Sequence, residues 1–399
     1  MSETKVAAAP EQSLLPTYAR YPIALVKGEG SWLWDDQGNK YLDFMSGIAV
    51  TNLGHAPQKV KEALIKQLDE LWHVSNLFRI PNQEEAAHLI TSNSSGDAVF
   101  FCNSGAEANE AAIKLARRYQ QKVLNNGRYE IITFESSFHG RTLATLTATG
   151  QEKVKEGFAP LPEGFKYIPY NDIEALKAAI SDKTAAVMLE LIQAEGGIFP
   201  ADQAFVDDLV KLCEENGILV IIDEIQTGMG RTGKLFAYEH YGIEPDIFTL
   251  AKGLGSGFPV GAAVAKEKLR EAFGPGSHGS TFGGTPIATA AVKATVETIV
   301  GENLPQRAAE MGAYLMDELK KALAGNSFVK EVRGQGLIVG IECVEPVGPV
   351  LTAAQEQGLL VISAGPNVVR LLPNLLVTKE EIDQAVATLK QLLVNAVKA

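Results

Sequence analysis

The stretch from Ile218 to Glu224 constrains the fold of this chain more than any other. Five apolar residues, most of them β-branched, are followed directly by two acids, Asp223 and Glu224. An uninterrupted apolar run of this length predicts a strand buried on both faces, as in the middle of a parallel sheet. Parallel sheets need helices on both faces, so the run predicts an α/β fold with a carboxylate at the carboxyl end of a central strand.

A second apolar run, from Asp246 to Gly253, ends in Lys252. Ligands in open α/β sheets bind outside the carboxyl ends of strands, so we expect Asp223 and Lys252 to share one site. This pair is typical of a pyridoxal 5'-phosphate (PLP) site, where a lysine holds the aldehyde as a Schiff base and an acid keeps the pyridine nitrogen protonated. The alternatives are a structural ion pair for Asp223 and a solvated loop position for Lys252.

The pattern along the chain predicts a large domain and a smaller one. Between about residues 51 and 285, strand and helix patterns alternate, which predicts a mostly parallel sheet in a large domain. Residues 1–50 contain a hairpin pattern and are expected to pack with the smaller domain. Residues 286–399 contain Ala-rich helices, three short strands and a final helix from Lys379 to Ala396, and they predict a small α+β domain.

Charge and composition exclude several classes of protein. A net charge of −12 argues against nucleic acid and anionic membranes as partners. No apolar run approaches the roughly 20 residues that a membrane helix needs. The three cysteines include no CxxC pair and the six histidines show no paired-ligand spacing, so we predict no disulfide framework and no metal site. A cytoplasmic enzyme is expected.

Two further turns carry residues suited to a cofactor or a substrate. Ser104 and Gly105 join a strand to an Ala-rich helix, whose first amides have no internal partner and can bind a phosphate; the alternative is a plain helix cap. Phe138 suits stacking on a flat ring, and Arg141 suits a substrate carboxylate. Taken alone, these two are more simply a core phenylalanine and a surface arginine.

The stretch 228–233 matches the GxGxxG pattern of dinucleotide sites. Such a site opens directly from a strand into a helix. Four residues separate this stretch from the acid that ends the strand, and no amphipathic helix begins at Gly233. A dinucleotide site is therefore disfavoured.

Together these segments resemble the class III (subgroup II) aminotransferases, which are PLP enzymes of fold type I. The resemblance runs from about Tyr18 to the last helix and is carried by residues 41–50, 101–110, 137–142, 223–233, 250–253, 279–284 and 367–373. It implies that Lys252 binds PLP and moves the proton, while Asp223 pairs with the pyridine nitrogen. The other cofactor contacts that it implies are Gly105 and Ala106 at the phosphate, Phe138 on the ring, Gln226 at the ring hydroxyl, Glu224 and Ile225 beside Asp223, and Thr281 at the phosphate of a neighbouring subunit.

The resemblance also implies the substrates. Arg141 is expected to hold the carboxylate remote from the reacting amine, and Arg370 the α-carboxylate of glutamate or 2-oxoglutarate, with Ser280 near the substrate. An unpaired buried arginine is costly, so Glu195 is expected to pair with Arg370 when the donor has no second carboxylate. The implied reaction moves the δ-amino group of N2-acetyl-L-ornithine to 2-oxoglutarate, as in arginine biosynthesis. It takes place in a homodimer with shared active sites.

The chain departs from the family pattern in two places that bear on substrate preference. Leu191 and Ala194 replace a proline and a glycine before Glu195, and residues 54–58 lack a second histidine. The alternatives left open are another ω-amine as donor (succinylornithine, N-succinyl-diaminopimelate, ornithine or 4-aminobutyrate), an aminomutase, and a PLP-binding homologue without activity.

Overall fold

Residues 13–396 are described by a computed structural model, and they form four sheets and a set of covering helices. The strands are β1 Leu25–Glu29, β2 Trp32–Asp35, β3 Lys40–Asp43, β4 Ala98–Cys102, β5 Glu130–Phe134, β6 Phe165–Ile168, β7 Thr184–Leu189, β8 Ile192–Gln193, β9 Phe199–Pro200, β10 Leu219–Asp223, β11 Ile247–Leu250, β12 Gly261–Ala265, β13 Val329–Gln335, β14 Ile338–Cys343, β15 Leu359–Leu360, β16 Ile362–Ser363 and β17 Val368–Leu371.

The helices alternate with these strands through the middle of the chain. They are α1 Ser46–Ala49, α2 Gln58–Leu68, α3 Pro81–Ser92, α4 Gly105–Arg118, α5 Leu143–Ala148, α6 Ile173–Ala179, α7 Gln203–Asn216, α8 Tyr238–Tyr241, α9 Pro286–Gly301, α10 Leu304–Ala322, α11 Gly348–Glu356 and α12 Lys379–Ala396. No helix within residues 13–396 is both long and apolar enough to cross a membrane.

The central sheet has seven strands in the order β4-β12-β11-β10-β7-β5-β6. Strand β10 lies in the middle and is parallel to both neighbours, β7 and β11. Every residue of these three strands is buried, as the apolar runs predict. Only β12 runs against the others, since it is antiparallel to β11 and to β4. The predicted mostly parallel α/β fold is confirmed.

This topology brings the carboxyl ends of β4, β5, β7, β10 and β11 to one edge of the sheet. Helix α4 starts directly after β4 and packs across β10, β11 and β12. The hydroxyl of Ser104 accepts a hydrogen bond from the amide of Glu107 at 3.2 Å, which caps the helix, and two arginines occupy its last turn. The open amides of α4 therefore lie at the same edge as Asp223 and Lys252.

A four-stranded antiparallel sheet, β13-β14-β17-β16, forms the centre of the C-terminal part, and α10 and α12 pack together beside it. The N-terminal strands β1–β3 form a further sheet that is completed from far along the chain, because Leu42 in β3 pairs in parallel with Leu359 in β15. The three domain ranges stay a prediction, and residues 1–12 of the first range lie outside the described residues.

The GxGxxG stretch is a loop whose arginine ties the parts of the chain together. Arg231 is fully buried and donates hydrogen bonds to the carbonyls of Leu337 and Pro373 and, at 2.7 Å, to the side chain of Asn52. Burial lowers the pKa of Arg231 to about 9. Its three acceptors belong to residues that lie far from Arg231 in the chain, so this loop has a structural role.

Candidate active site

A cavity of about 440 Å³ opens at the carboxyl edge of the central sheet. Eight of the residues predicted for the site line it: Gly105, Ala106, Phe138, Arg141, Asp223, Ile225, Gln226 and Lys252. Five others do not: Glu195, Glu224, Ser280, Thr281 and Arg370. The edge of the sheet therefore collects most of the predicted set in one place.

Lys252 follows β11 and enters the cavity from a tight turn. Its backbone has φ of +46°, a left-handed conformation that is strained for a residue with a side chain. The next residue is Gly253, where a Cβ would come within 2.4 Å of the Asn52 side chain. Burial lowers the pKa of Lys252, against the opposing effect of Glu195. A lowered pKa increases the fraction of neutral amine, the form that attacks a carbonyl.

Asp223 ends β10 within a network of buried donors. One carboxylate oxygen accepts hydrogen bonds from Nδ1 of His139 and from Nδ2 of Asn109, both at 2.8 Å. The other oxygen accepts from the amide of Ile225 at 3.1 Å. Burial acts to lower the pKa of His139, but the hydrogen bond to Asp223 outweighs it and the pKa is raised. The three hydrogen bonds from His139, Asn109 and Ile225 hold the carboxylate of Asp223 in one orientation.

The sequence reading missed His139 and Asn109 as members of this network. Asn109 offered a signal, since it is a polar residue on the Ala-rich face of α4 and is fully buried. A buried amide needs hydrogen-bond partners. Asn109 finds them in Asp223, in the carbonyl of His139 and in the hydroxyl of Thr249.

The first turn of α4 forms a cradle for an anion. At Gly105, a Cβ would come within 2.9 Å of the Ile225 side chain, which would have to shift, so the glycine keeps this approach open. The amides of Gly105 and Ala106 lie at the helix N-terminus, where phosphate groups bind. An amine, a buried carboxylate, open helix amides and the aromatic ring of Phe138 all border the same cavity. This donor set fits PLP.

Two arginines of the site differ in their partners. Arg370 is 1% exposed, and its Nη1 lies 2.7 Å from Oε1 of Glu195. Burial acts to raise the pKa of Glu195, but Arg370 outweighs it and the pKa is lowered. Arg370 also donates to Oε1 of Gln226 at 3.0 Å and to the carbonyl of Ser363 at 3.1 Å. Arg141 is exposed and has no salt-bridge partner among the described residues.

Three of the five predicted residues that do not line the cavity are Glu224, Ser280 and Thr281. The carboxylate of Glu224 is buried and accepts hydrogen bonds from the amide of Tyr238 at 2.9 Å and from the hydroxyl of Thr227. Ser280 reaches the cavity only through Asn103, which donates to its hydroxyl at 3.0 Å. Thr281 is exposed. The side chain of Glu224 is thus engaged in packing the loop after β10, and its binding of the cofactor stays a prediction.

The burial of Glu224 predicts a pH-dependent penalty on folding. Burial raises the pKa of Glu224 to about 7 from an ordinary 4.5. The folded state then holds the proton more tightly than the unfolded state, so stability is greatest below the unfolded pKa and falls as the pH rises through about 7. The Glu224→Gln variant is expected not to show this loss. Its unfolding free energy, relative to that of wild type, is expected to rise by on the order of 3 kcal/mol between about pH 5 and about pH 8.

Urea denaturation at a series of pH values measures this difference. Glu215→Gln, at an exposed position, is the control and should run parallel to wild type. Parallel curves for Glu224→Gln would show that the buried carboxyl is already charged at low pH.

The chain is similar to known proteins in both sequence and fold. A family profile described as "Aminotransferase class-III" matches residues 16–393. The chain is 54% identical over 384 residues to an acetylornithine aminotransferase of Bacillus subtilis (strain 168). The aligned region covers 96% of this chain and 98% of that protein. The chain is 55% identical over 383 residues to an acetylornithine aminotransferase of Halalkalibacterium halodurans, covering 96% and 98%.

Solved structures give the same result for the fold. The ornithine aminotransferase of Toxoplasma gondii, crystallized with partial occupancy of PLP at its active site, superposes with a TM-score of 0.93 at 32% identity, covering 97% of this chain and 93% of that one. The acetylornithine aminotransferase of Elizabethkingia anophelis superposes with a TM-score of 0.86 at 34% identity, covering 96% and 97%.

Proposed function

Because this chain belongs to the class-III aminotransferases and is a PLP-dependent enzyme, we propose that it transfers the δ-amino group of N2-acetyl-L-ornithine to 2-oxoglutarate. The products are N-acetyl-L-glutamate 5-semialdehyde and L-glutamate, and the reaction belongs to arginine biosynthesis. The observation that carries the proposal is the contrast between Arg370, which is paired with Glu195, and Arg141, which is unpaired among residues 13–396.

The contrast fits two substrates that bind in turn. Acetylornithine has one carboxylate and 2-oxoglutarate has two. Arg141, at the cavity wall, binds the carboxylate that both share, by a two-pronged contact. Arg370 binds the second carboxylate of 2-oxoglutarate after Glu195 has moved away from Arg370. When acetylornithine is bound, Glu195 neutralises Arg370, so that no buried charge is left without a partner.

PLP, when bound, supplies a carbonyl that takes up the amine and a protonated ring that withdraws electrons from the reacting carbon. The Nζ of Lys252 would hold the cofactor and would move the proton that leaves the amine-bearing carbon of the substrate. The carboxylate of Asp223, which His139 and Asn109 orient, would hold the proton on the ring nitrogen. The first amides of α4 would bind the phosphate, and Phe138 would shield the ring from water.

A second copy of the chain is part of this proposal. Trp72, Leu77 and Phe282 are 62%, 89% and 60% exposed and belong to neighbouring segments, which are joined by a hydrogen bond of 2.9 Å from Asn76 to the carbonyl of Gly283. An exposed apolar patch of this kind is suited to covering by another protein surface. Thr281 lies in it and would supply its hydroxyl to the cofactor phosphate of the other subunit. Light scattering of the purified protein measures whether two chains associate.

The absorbance of the purified holoenzyme tests the donor. Addition of N2-acetyl-L-ornithine without a keto acid is expected to remove the visible band, because the amine is transferred and the bond from the cofactor to Lys252 is lost. Addition of 2-oxoglutarate is expected to restore the band. Ornithine, succinylornithine, N-succinyl-diaminopimelate and 4-aminobutyrate are the comparison amines.

Each alternative function predicts a different response of the holoenzyme to the added amines and to 2-oxoglutarate. A band that responds to another of these amines and ignores acetylornithine would contradict the proposed donor. Turnover that needs no 2-oxoglutarate would indicate an aminomutase. A band that ignores every amine would indicate a PLP-binding homologue without this activity.

A further inference from the structure

Glu195 lies at the tip of a small hairpin that cannot fix its own position. The switch hairpin consists of β8, β9 and a tip of residues 194–198 between them. Only two residue pairs join its strands, Ile192 with Pro200 and Gln193 with Phe199. So short a hairpin is not stable alone. The placement of Glu195 against Arg370 must therefore come from the surface on which the tip rests.

That surface is one row of residues across the C-terminal sheet. Gly340 in β14 pairs with Arg333 on one side and with Arg370 on the other. Residues paired in this way point to the same face of a sheet. A Cβ at Gly340 would come within 3.1 Å of the side chain of Ile198, so the glycine makes room for the tip. The tip thus lies between two arginines.

Arg333 holds the backbone of the tip. Its Nε donates to the carbonyls of Gly197 at 3.1 Å and Ile198 at 3.0 Å, and its Nη2 donates to the carbonyl of Gly197 at 2.6 Å. The guanidinium carbon lies 4.0 Å from the centre of the Phe199 ring. Arg333 is 9% exposed, so these contacts are little weakened by water.

Ala194 holds the other end of the tip. Its methyl is buried in an apolar cluster with Ile338, Val368 and Leu372 of the C-terminal part. Its carbonyl accepts a hydrogen bond from Nη1 of Arg370 at 3.3 Å. Glu195 is therefore flanked by one anchor at Ala194 and a second at the carbonyls that Arg333 binds.

We propose that Arg333 is a positioning residue for substrate selection, because it clamps the tip of the switch hairpin and so keeps Glu195 against Arg370. The inference rests on the proposed function, in which Arg370 serves only the substrate with two carboxylates. A ligand that needs Arg370 binds only the fraction of molecules in which Glu195 has moved away, and its apparent affinity is reduced by that fraction. Loosening the clamp increases this fraction. A ligand that needs only Arg141 is unaffected.

Two unreactive probes separate these cases in the holoenzyme. Glutarate has the two carboxylates of 2-oxoglutarate without the keto group, and N2-acetyl-L-norvaline is acetylornithine without the δ-amine. Titration calorimetry with Arg333→Met is expected to show glutarate binding about tenfold more tightly than in wild type, since the three hydrogen bonds to the tip are lost. Binding of N2-acetyl-L-norvaline is expected to stay within about twofold.

Three further variants sharpen the test. Arg333→Lys keeps the charge but cannot bind both carbonyls with one planar fork, so an intermediate effect is expected. Ala194→Gly loosens the other anchor without changing a charge, and it should favour glutarate by about threefold. Glu331→Gln neutralises an exposed partner of Arg333 at 3.0 Å and leaves the tip contacts intact, so it should match wild type.

The outcomes are distinct. Equal changes for both probes would mean that Arg333 only supports the fold, and unchanged binding of both would mean that the tip needs no clamp; either result overturns the inference. If Arg333→Met does not fold, Ala194→Gly and Arg333→Lys test the inference instead, by the change in glutarate affinity relative to the change in N2-acetyl-L-norvaline affinity. Failure of wild type to bind glutarate, together with a holoenzyme that ignores acetylornithine, would instead contradict the proposed function.

Discussion

Replacement of Lys252 by alanine is expected to lower kcat for transamination by at least about 10⁴-fold. Lys252 is the only lysine that lines the cavity within the described part of the chain. In the proposed mechanism, both the covalent bond to the cofactor and the proton transfer depend on its amine, so no other residue of the cavity wall would replace it. Initial rates with acetylornithine and 2-oxoglutarate measure the loss.

The variant is also expected to keep the cofactor without a covalent bond, since the amides of α4 and the carboxylate of Asp223 remain. The PLP content after gel filtration measures this. Lys155→Met is the matched control, because Lys155 is buried but pairs with Glu152 away from the cavity. A Lys252→Ala enzyme that turns over at close to the wild-type rate would show that another residue carries the chemistry.

Replacement of the two arginines is expected to have different effects on the two half-reactions. Arg141→Ala should lower kcat/KM for both acetylornithine and 2-oxoglutarate by about 100-fold or more, because a two-pronged, charge-assisted contact with the shared carboxylate is lost. Arg370→Ala should lower it to the same degree for 2-oxoglutarate and much less for acetylornithine. Stopped-flow absorbance measures the half-reactions separately.

Arg79→Ala is the control for these variants, because Arg79 is exposed and pairs only with the nearby Glu84. It should leave both half-reactions unchanged. Equal losses for both substrates in Arg370→Ala would contradict the assignment of Arg370 to the second carboxylate, and with it the role of Glu195.

The centre of the fold could be predicted because its signals are local. The apolar runs of β7 and β10 predict buried parallel strands from the local sequence alone. The carboxyl edge of the sheet then brings Asp223 and Lys252 together. Strand β12 was missed, because its sequence, Gly-Ala-Ala-Val-Ala, lacks the bulky residues typical of strands. Its position between β4 and β11 depends on pairing with distant segments, which no local pattern encodes.

The same distinction holds within the site. The ion pair of Glu195 and Arg370 was expected from the resemblance, and its atoms lie 2.7 Å apart in the structure. The contact of His139 with Asp223 and the clamp by Arg333 were not expected, because each joins residues far apart in the chain. The sequence of β13, Val-Lys-Glu-Val-Arg-Gly-Gln, mixes both charges and gives no sign that its arginine binds another part of the molecule.

The pairing of β3 with β15 sets an order on folding during synthesis. Strands β1–β3 leave the ribosome early, but the parallel partner of Leu42 is Leu359, near the other end of the chain. Until that segment emerges, the edge of β3 has unpaired amides and carbonyls, which attract other chains. The growing polypeptide thus carries an open edge for most of its translation, and chaperones that bind nascent chains have a defined segment to shield. A chain truncated before β15 would keep that edge open permanently and aggregate through it.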